Sequence, residues 1–311
     1  MVLITVTLNT SLDRTVEVPG FAVGGHLRGR LVRVQPAGKG VNVARCLASL
    51  GVPSIVTGFV GGRELAVFTE SLAGMPARVE LVPIAGATRT NTTILDPELG
   101  TDTHIRETGP AIQGRELEAL RSKLQDLASA EAVVAFCGSL PAGVAAGHLA
   151  ALMAACTARH ARLAADLNGA ELREAVMLRP LLIKPNEEEL AEMLDHPFPW
   201  ETEGEILTAA WGLTQKVETV LVTRGRHGAL AVRQRDAAAC SVEVSAPRNT
   251  VGCGDAFLAG YLAGLWRGEG FEGSLRLAAA CGAAKALTDA AGEIDPRRVE
   301  ELAARANVRR V

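Results

Sequence analysis

Residues 2–8 (VLITVTL) form a β-branched apolar run of strand length, closed by Asn9 and Thr10, where turn-forming side chains begin. A run that is apolar on both faces predicts a strand in the middle of a sheet. Residues 27–34 (LRGRLVRV) alternate instead, with Leu27, Gly29 and Leu31 on one side and Arg28, Arg30 and Val32 on the other. An alternating strand keeps one face toward solvent or ligand, and two arginines make that face a candidate for anions. Residues 40–50 set Val41, Ala44, Leu47 and Ala48 at helical spacing, with Gly51 as the C-terminal stop. A strand is expected at 54–60 and a helix at 65–72. Residues 79–84, 91–95 and 103–106 predict short, polar strands that group with 27–34 in a small sheet outside the main domain.

From residue 114 the pattern becomes regular. A helix (115–127) leads to a strand (132–136), a helix (144–158), a strand (161–165), a helix around Glu171, a strand (181–183) and a helix from Asn186. This alternation predicts a parallel sheet with right-handed crossovers. Later strands are expected at 220–223, 229–232 and 241–244, the last antiparallel, and helices at 255–266, 275–289 and 296–306. The expected class is α/β.

Composition narrows the function. With 311 residues, 48% hydrophobic and 22% charged, the chain can bury a sizeable core, and its length suits one α/β domain with an inserted subdomain. The net charge of -3 and the lack of a basic run argue against a nucleic-acid partner. Six scattered cysteines form no CxxC pair, and no two histidines stand four apart, which suits a reduced, cytoplasmic setting and excludes an ordinary zinc site. No apolar stretch approaches the ~20 residues that span a bilayer.

Three segments carry candidate chemistry. In Asn249-Thr250-Val251-Gly252-Cys253-Gly254-Asp255-Ala256-Phe257, two glycines leave backbone N–H groups uncovered just before an apolar helix. A helix N-terminus favours anions, and a carboxylate there can take a proton from a hydroxyl. Asp255 as a simple N-cap fits the same letters. Lys184-Pro185-Asn186-Glu187-Glu188-Glu189 follows a strand and opens a helix. Asn186 and Glu189, three apart, suit either a hydrated Mg²⁺ or a capping box. Pro36-Ala37-Gly38-Lys39-Gly40-Val41-Asn42 is a glycine-rich turn into a helix, with Lys39 either serving an anion or merely solvated. It is not a P-loop, and no dinucleotide fingerprint follows a strand anywhere. Thr223-Arg224-Gly225-Arg226-His227-Gly228 could cradle phosphates or be a plain hairpin. Gly138-Ser139-Leu140-Pro141 exposes a hydroxyl after a strand, and Asp13 follows the first strand.

Taken in order, N-x-x-x-D at 9–13, A-G-K-G-V-N at 37–42, T-R-T-N at 88–91, G-S-L-P at 138–141, K-P-N-x-x-E at 184–189 and T-V-G-C-G-D-A at 250–256 resemble the ribokinase-like (PfkB-type) carbohydrate kinases over nearly the whole chain. T-L-N-T-S-L-D at 7–13, Lys39, Thr88 to Asn91 and Glu107-Thr108-Gly109-Pro110 look most like the 1-phosphofructokinase and tagatose-6-phosphate kinase branch. The resemblance implies a three-layer αβα ribokinase-like fold with a mainly parallel central sheet and a small β-sheet lid, from about 11–36 and 86–108, on a single domain spanning 1–311. It implies ATP-dependent phosphorylation of a hexose monophosphate. Asp255 would be the base, and Gly252, Cys253 and Gly254 the anion hole. Asp13, Gly38, Lys39 and Asn42 would hold the sugar hydroxyls, and Arg28, Arg89 and Ser139 its phosphate. Lys184, Asn186, Thr223, Gly225 and Gly228 would meet ATP, with Asn186 and Glu189 organising Mg²⁺. A monovalent cation such as K⁺ beside the anion hole and a homodimer through the lid are further implications.

Some residues depart from the family pattern: Ala37-Gly38 stands for two glycines, Cys253 for Ala or Ser, and Asp166-Leu167-Asn168-Gly169 for D-x-S-G. The rival readings are a kinase of free sugars or nucleosides and a sugar-phosphate sensor without catalysis. A nicotinamide oxidoreductase lacks its glycine fingerprint.

Overall fold

The computed structural model describes residues 1–311. The first part of the chain runs β1 (Val2–Thr7), β2 (Ser11–Glu17), β3 (Arg30–Ala37), α1 (Lys39–Ser49), β4 (Ser54–Gly61), α2 (Leu65–Ser71), β5 (Ala77–Val79), β6 (Val82–Ile84), β7 (Arg89–Asp96) and β8 (Thr101–Arg106). It continues with α3 (Gly114–Leu127), β9 (Ala132–Cys137), α4 (Ala146–Thr157), β10 (Arg162–Asp166), α5 (Gly169–Met177), β11 (Leu182–Ile183), α6 (Glu187–Leu194) and α7 (Glu203–Leu213). It closes with β12 (Thr219–Thr223), β13 (Ala229–Arg233), β14 (Asp236–Ser241), α8 (Cys253–Arg267), α9 (Phe271–Ala286), α10 (Pro296–Arg305) and β15 (Asn307–Arg310).

The apolar runs on both faces place β1 and β9 side by side in the centre of an 11-stranded sheet, ordered β15-β14-β13-β12-β11-β10-β9-β1-β4-β5 with β6 also on β4. Pairing is parallel from β5 to β12 and antiparallel through β13, β14 and β15. Alternate residues of each strand feed opposite cores. Ile4, Val134 and Phe136 pack with Leu120, Leu149 and Leu190 from α3, α4 and α6. Leu3, Val133 and Ala135 pack with Leu47, Leu258 and Leu275 from α1, α8 and α9. The result is the three-layer αβα arrangement. Truncating Phe136, 1% exposed, to Ala is worth roughly 3–5 kcal/mol.

The close pairing of α8 with α9 fixes where the N-terminus of α8 points. A Cβ built on Gly260 would lie 2.7 Å from Ala278 Cα, and one on Gly264 would lie 2.6 Å from Ser274 Cα. Small residues on one helix face permit this approach and repay the helical cost of glycine, about 0.5–1 kcal/mol each.

A separate four-stranded sheet has the order β3-β2-β7-β8. β2 and β7 are parallel, with Ser11 opposite Arg89 and Asp13 opposite Asn91. It grows directly from the end of β1 and returns through β3 into α1.

Three segments differ from the sequence expectation. Residues 79–84 do not join the small sheet. They split into β5 and β6, which pair with β4 in the large one, because Leu81, Val82 and Ile84 are buried at 5–6% exposure. The strand expected at 27–34 begins only at Arg30, because the β2–β3 ladder ends at the Glu17–Arg30 pair. That leaves Arg28 in an exposed loop. The antiparallel strand expected at 241–244 lies instead at Asp236–Ser241. Strands β2 and β15 and helix α7 were not expected at all.

Candidate active site

Five neighbouring parallel strands end in residues with chemistry. Along the order β12-β11-β10-β9-β1, their carboxyl ends carry Thr223, Lys184, Asp166, Gly138 and Asn9. The chain leaves β1 for β4 on one side and later returns to β9 on the other, so a topological switch point lies between β1 and β9. Open α/β sheets bind ligands in that crevice.

Asp166 is the electrostatic centre. Its side chain is fully buried, with Lys39 Nζ donating to Oδ1 at 3.0 Å and Lys184 Nζ at 3.3 Å from Oδ2. Burial works against its charge, but Lys184 and then Lys39 hold its carboxyl below the ordinary carboxylate range. The Asp166 carboxylate in turn raises Lys39 above its usual value, against burial and with help from Asp255 and Glu189. Lys39 is therefore not the solvated turn lysine that its sequence also allowed. The turn that aims it depends on Gly38 at φ 134°, where a Cβ would lie 2.5 Å from Thr7 Cγ2.

Asp255 is 5% exposed and occupies the first turn of α8. The N-cap is Gly252, at φ 84°, which excludes the capping role for Asp255. Its Oδ2 accepts from Asn42 Nδ2 at 2.8 Å. Burial, followed by the charge of Asp166, pushes its carboxyl up to about 6. A carboxylate so placed can hold a proton near neutral pH. The Cys253 N–H donates to Thr250 O at 3.2 Å, so it is engaged within the loop in this state. The next two N–H groups, of Gly254 and Asp255, come before the first intrahelical bond, which Ala256 N–H donates to Gly252 O at 3.0 Å. Lys184 Nζ adds positive charge there, 3.2 Å from where a Cβ on Gly254 would stand. The Cys253 thiol is pushed up by burial, which keeps it protonated and unreactive.

Asn186 and Glu189 form the capping box. Asn186 Oδ1 accepts from Glu189 N at 2.7 Å, and Glu189 Oε2 accepts from Asn186 N at 2.8 Å. Glu189 Oε1 takes no protein hydrogen bond, and the Glu189 charge acts on Lys39. Asn186 also bridges to Thr223, whose N–H donates to Pro185 O at 3.0 Å. Gly225 and Gly228, at φ 53° and 81°, turn the hairpin from β12 to β13. Arg224 secures it through Glu187 at 3.0 Å and Glu203 at 2.7 Å.

On the other flank, Asp13 Oδ1 accepts from Ser11 Oγ at 2.8 Å and Asn91 Nδ2 at 3.0 Å. Arg89 donates to Glu107 O at 3.0 Å and to Asn9 O at 3.2 Å. Asn9 Nδ2 reaches Ser139 Oγ at 3.5 Å, and Gly138 lies beside the Lys39 stem. Asp13, Arg89, Ser139 and Lys39 therefore form one contiguous wall, and Arg28, in its exposed loop, makes no hydrogen bond or ion pair with them. Asn42 Oδ1, Asn91 Oδ1 and Arg89 Nε are buried there without a partner.

Sequence reasoning underrated Asp166, which it treated only as a departure in a loop, and it gave no role to Asn9 or Lys285. Asp166 had a visible signal, an acid ending a predicted strand. Lys285 had none.

A buried acid at a helix N-terminus, with two lysines converging on a second buried acid at the carboxyl edge of a parallel sheet, defines an α/β enzyme built to act on anionic groups. The chain belongs to the pfkB family of carbohydrate kinases, whose model matches residues 4–297. It is 35% identical over 298 residues to the 1-phosphofructokinase of Rhodobacter capsulatus, covering 94% of this chain and 91% of that one. It is 32% identical over 288 residues to the 1-phosphofructokinase of Bacillus subtilis, covering 93% of each. Among solved structures, phosphofructokinase-2 from Escherichia coli in complex with potassium superposes with a TM-score of 0.92 at 26% identity, over 97% of this chain and 98% of that one. The ribokinase-like fold and the carbohydrate kinase activity that the motifs implied are thus borne out, and ATP is the phosphoryl donor.

Proposed function

We propose that the chain transfers the γ-phosphoryl group of ATP to a hydroxyl of a hexose monophosphate, yielding a hexose bisphosphate, with fructose 1-phosphate as the leading acceptor. The observation that carries this is the buried Asp255 carboxyl, held at about 6 beside the N-terminus of α8. Phosphoryl transfer asks mainly for positioning and charge stabilisation. Asp255 takes the acceptor's proton as the hydroxyl attacks, while Asn42 fixes the carboxylate's orientation. First-turn N–H groups of α8 and the Lys184 ammonium face the charge that develops on the phosphoryl oxygens.

The acceptor's phosphate is assigned to Arg89, Lys39 and Ser139, its hydroxyls to Asp13, Gly38 and Asn42. Three buried, unpartnered polar atoms on this wall, Asn42 Oδ1, Asn91 Oδ1 and Arg89 Nε, support a polar ligand there. The names of the two sequence relatives support a phosphorylated acceptor. Thr223, Gly225 and Gly228 are assigned to the nucleotide. Mg²⁺ suits the free oxygen of Glu189, because it needs only one or two carboxylates alongside phosphates and water. When bound, Mg²⁺ neutralises phosphate charge. The small sheet is assigned the role of a lid that excludes water, and its exposed Leu31, Val34 and Ile105 (54%, 48% and 52%) that of a homodimer surface. The six free cysteines suit work in the cytoplasm, and no helix is long and apolar enough to cross a membrane.

The rival is a free-sugar kinase, which would leave the cations of this wall without a phosphate to bind. ADP release from MgATP decides between the two, tested with fructose 1-phosphate, tagatose 6-phosphate, fructose 6-phosphate, free fructose and ribose. Turnover concentrated on one hexose phosphate is expected. Turnover confined to free sugars would keep the kinase and overturn the phosphate wall.

A further inference from the structure

Lys285, in the last turn of α9, is 0% exposed. Its Nζ donates to two backbone carbonyls, Asn249 O at 3.2 Å and Thr288 O at 3.3 Å, and no carboxylate lies within ion-pair distance. Burying a charge without an ionic partner is costly, so its placement calls for a function. Asn249 opens the loop that leads into the first turn of α8, and Thr288 lies in the loop that follows α9. Between them the lysine stem runs behind the anion hole, its Cε 3.6 Å from where a Cβ on Gly252 would stand. The ammonium thus ties together two loops, one of which carries Gly252, Gly254 and Asp255.

A free monovalent cation would need oxygen ligands at this place. Six backbone carbonyls around it already accept hydrogen bonds from donors of the chain. Asn249 O and Thr288 O accept from Lys285, and Ala286 O accepts from Arg248 N at 2.7 Å. Asp289 O accepts from Asn249 Nδ2 at 3.0 Å, Ala290 O from Thr288 Oγ1 at 3.4 Å and Ala291 O from Gln35 Nε2 at 3.1 Å. A K⁺ among these carbonyls would sit beside the Lys285 ammonium that already binds two of them and be repelled by it, so these residues do not fit a separate K⁺ beside the anion hole. We propose that Lys285 is a built-in cation: its ammonium holds the 249–255 loop against the 288–291 loop from within the chain, in place of a free monovalent ion. It is a positioning residue, since it touches the loop and not the reacting atoms. The effect on turnover rests on the kinase reading above, whereas the effect on the loop does not.

The test compares K⁺ with choline at equal ionic strength and fixed MgATP, with two readouts: steady-state turnover and amide hydrogen exchange across residues 249–255. Wild-type protein should show the same turnover and the same exchange in both salts. Lys285→Ala empties the place and should lose roughly 10²-fold in kcat in choline, with little change in KM. K⁺ or ammonium should restore part of that turnover and slow exchange in the loop. Lys285→Met fills the volume without charge and should gain nothing from either ion. Wild-type turnover or loop protection that depends on K⁺ would overturn the proposal, as would a Lys285→Ala defect indifferent to every cation. The wild-type exchange comparison decides the matter even if the variants fail to fold. It also does so if no acceptor supports turnover, an outcome that would count against the kinase reading alone.

Discussion

Replacing Asp255 with Asn should make the protein more stable at pH 8 while nearly silencing it. Folding buries this carboxyl to 5% exposure, and burial with the charge of Asp166 raises it from 3.8 to about 6. Between those values the native state binds more protons than the unfolded chain, so stability falls as pH rises through the window. The cost of ionising Asp255 is fully present above about pH 6 and absent below about pH 4. A shift of about two units corresponds to a cost on the order of 3 kcal/mol at pH 8. The neutral amide of the Asp255→Asn variant would avoid that cost while keeping an oxygen for Asn42 Nδ2, which donates to Asp255 at 2.8 Å. Paired urea denaturations of wild type and Asp255→Asn at pH 8 and about pH 4.5 measure the difference. The variant's advantage should be a few kcal/mol at the higher pH and shrink strongly at the lower one. Its turnover should fall by about 10²–10⁴, the loss typical of a missing general base. A variant less stable than wild type at pH 8, or an advantage that ignores pH, would show that ionising Asp255 costs the fold nothing, and near-normal turnover would sink the base.

Lys184→Met leaves Asp166, buried at 0% exposure, with Lys39 as its remaining cation, and should destabilise the fold by roughly 3 kcal/mol in urea titrations. Asp166 is held below its ordinary range, so its pairing stabilises the fold above about pH 4. That contribution is lost as pH falls through the lowered value, and the Lys184→Met deficit should shrink in acid. Arg89→Ala should raise KM for a sugar phosphate far more than for the free sugar in parallel kinetics, whereas equal effects would make the arginine structural. Glu189→Gln keeps an oxygen for the Asn186 N–H, so thermal melts should move little while the Mg²⁺ concentration for half-maximal rate rises. An unchanged Mg²⁺ requirement would limit Glu189 to its capping role.

Local pattern made much of this molecule legible. The strand–helix alternation from residue 114 exposed the parallel sheet, because crossover units of that kind have few alternative arrangements. The glycines at 38, 252 and 254 marked where the backbone bares its N–H groups. Long-range pairing was less visible. The segment holding Leu81, Val82 and Ile84 looked too short and polar to be core, yet these residues are buried beside β4, a partner that their own letters do not name. Arg28 seemed to share a face with Arg30, but a strand lasts only as long as its neighbour, and β2 stops at Glu17. Asp166 and Lys285 act through contacts with residues more than 30 positions away, Lys39 and Asn249, and no local motif marks such a meeting.

The most direct test of the central claim is a ³¹P NMR spectrum of the chain incubated with MgATP and fructose 1-phosphate. A second phosphomonoester resonance on the sugar should grow in step with ADP and without inorganic phosphate. ATP consumed to ADP and inorganic phosphate alone, or a spectrum that does not change with any hexose phosphate, would contradict that claim.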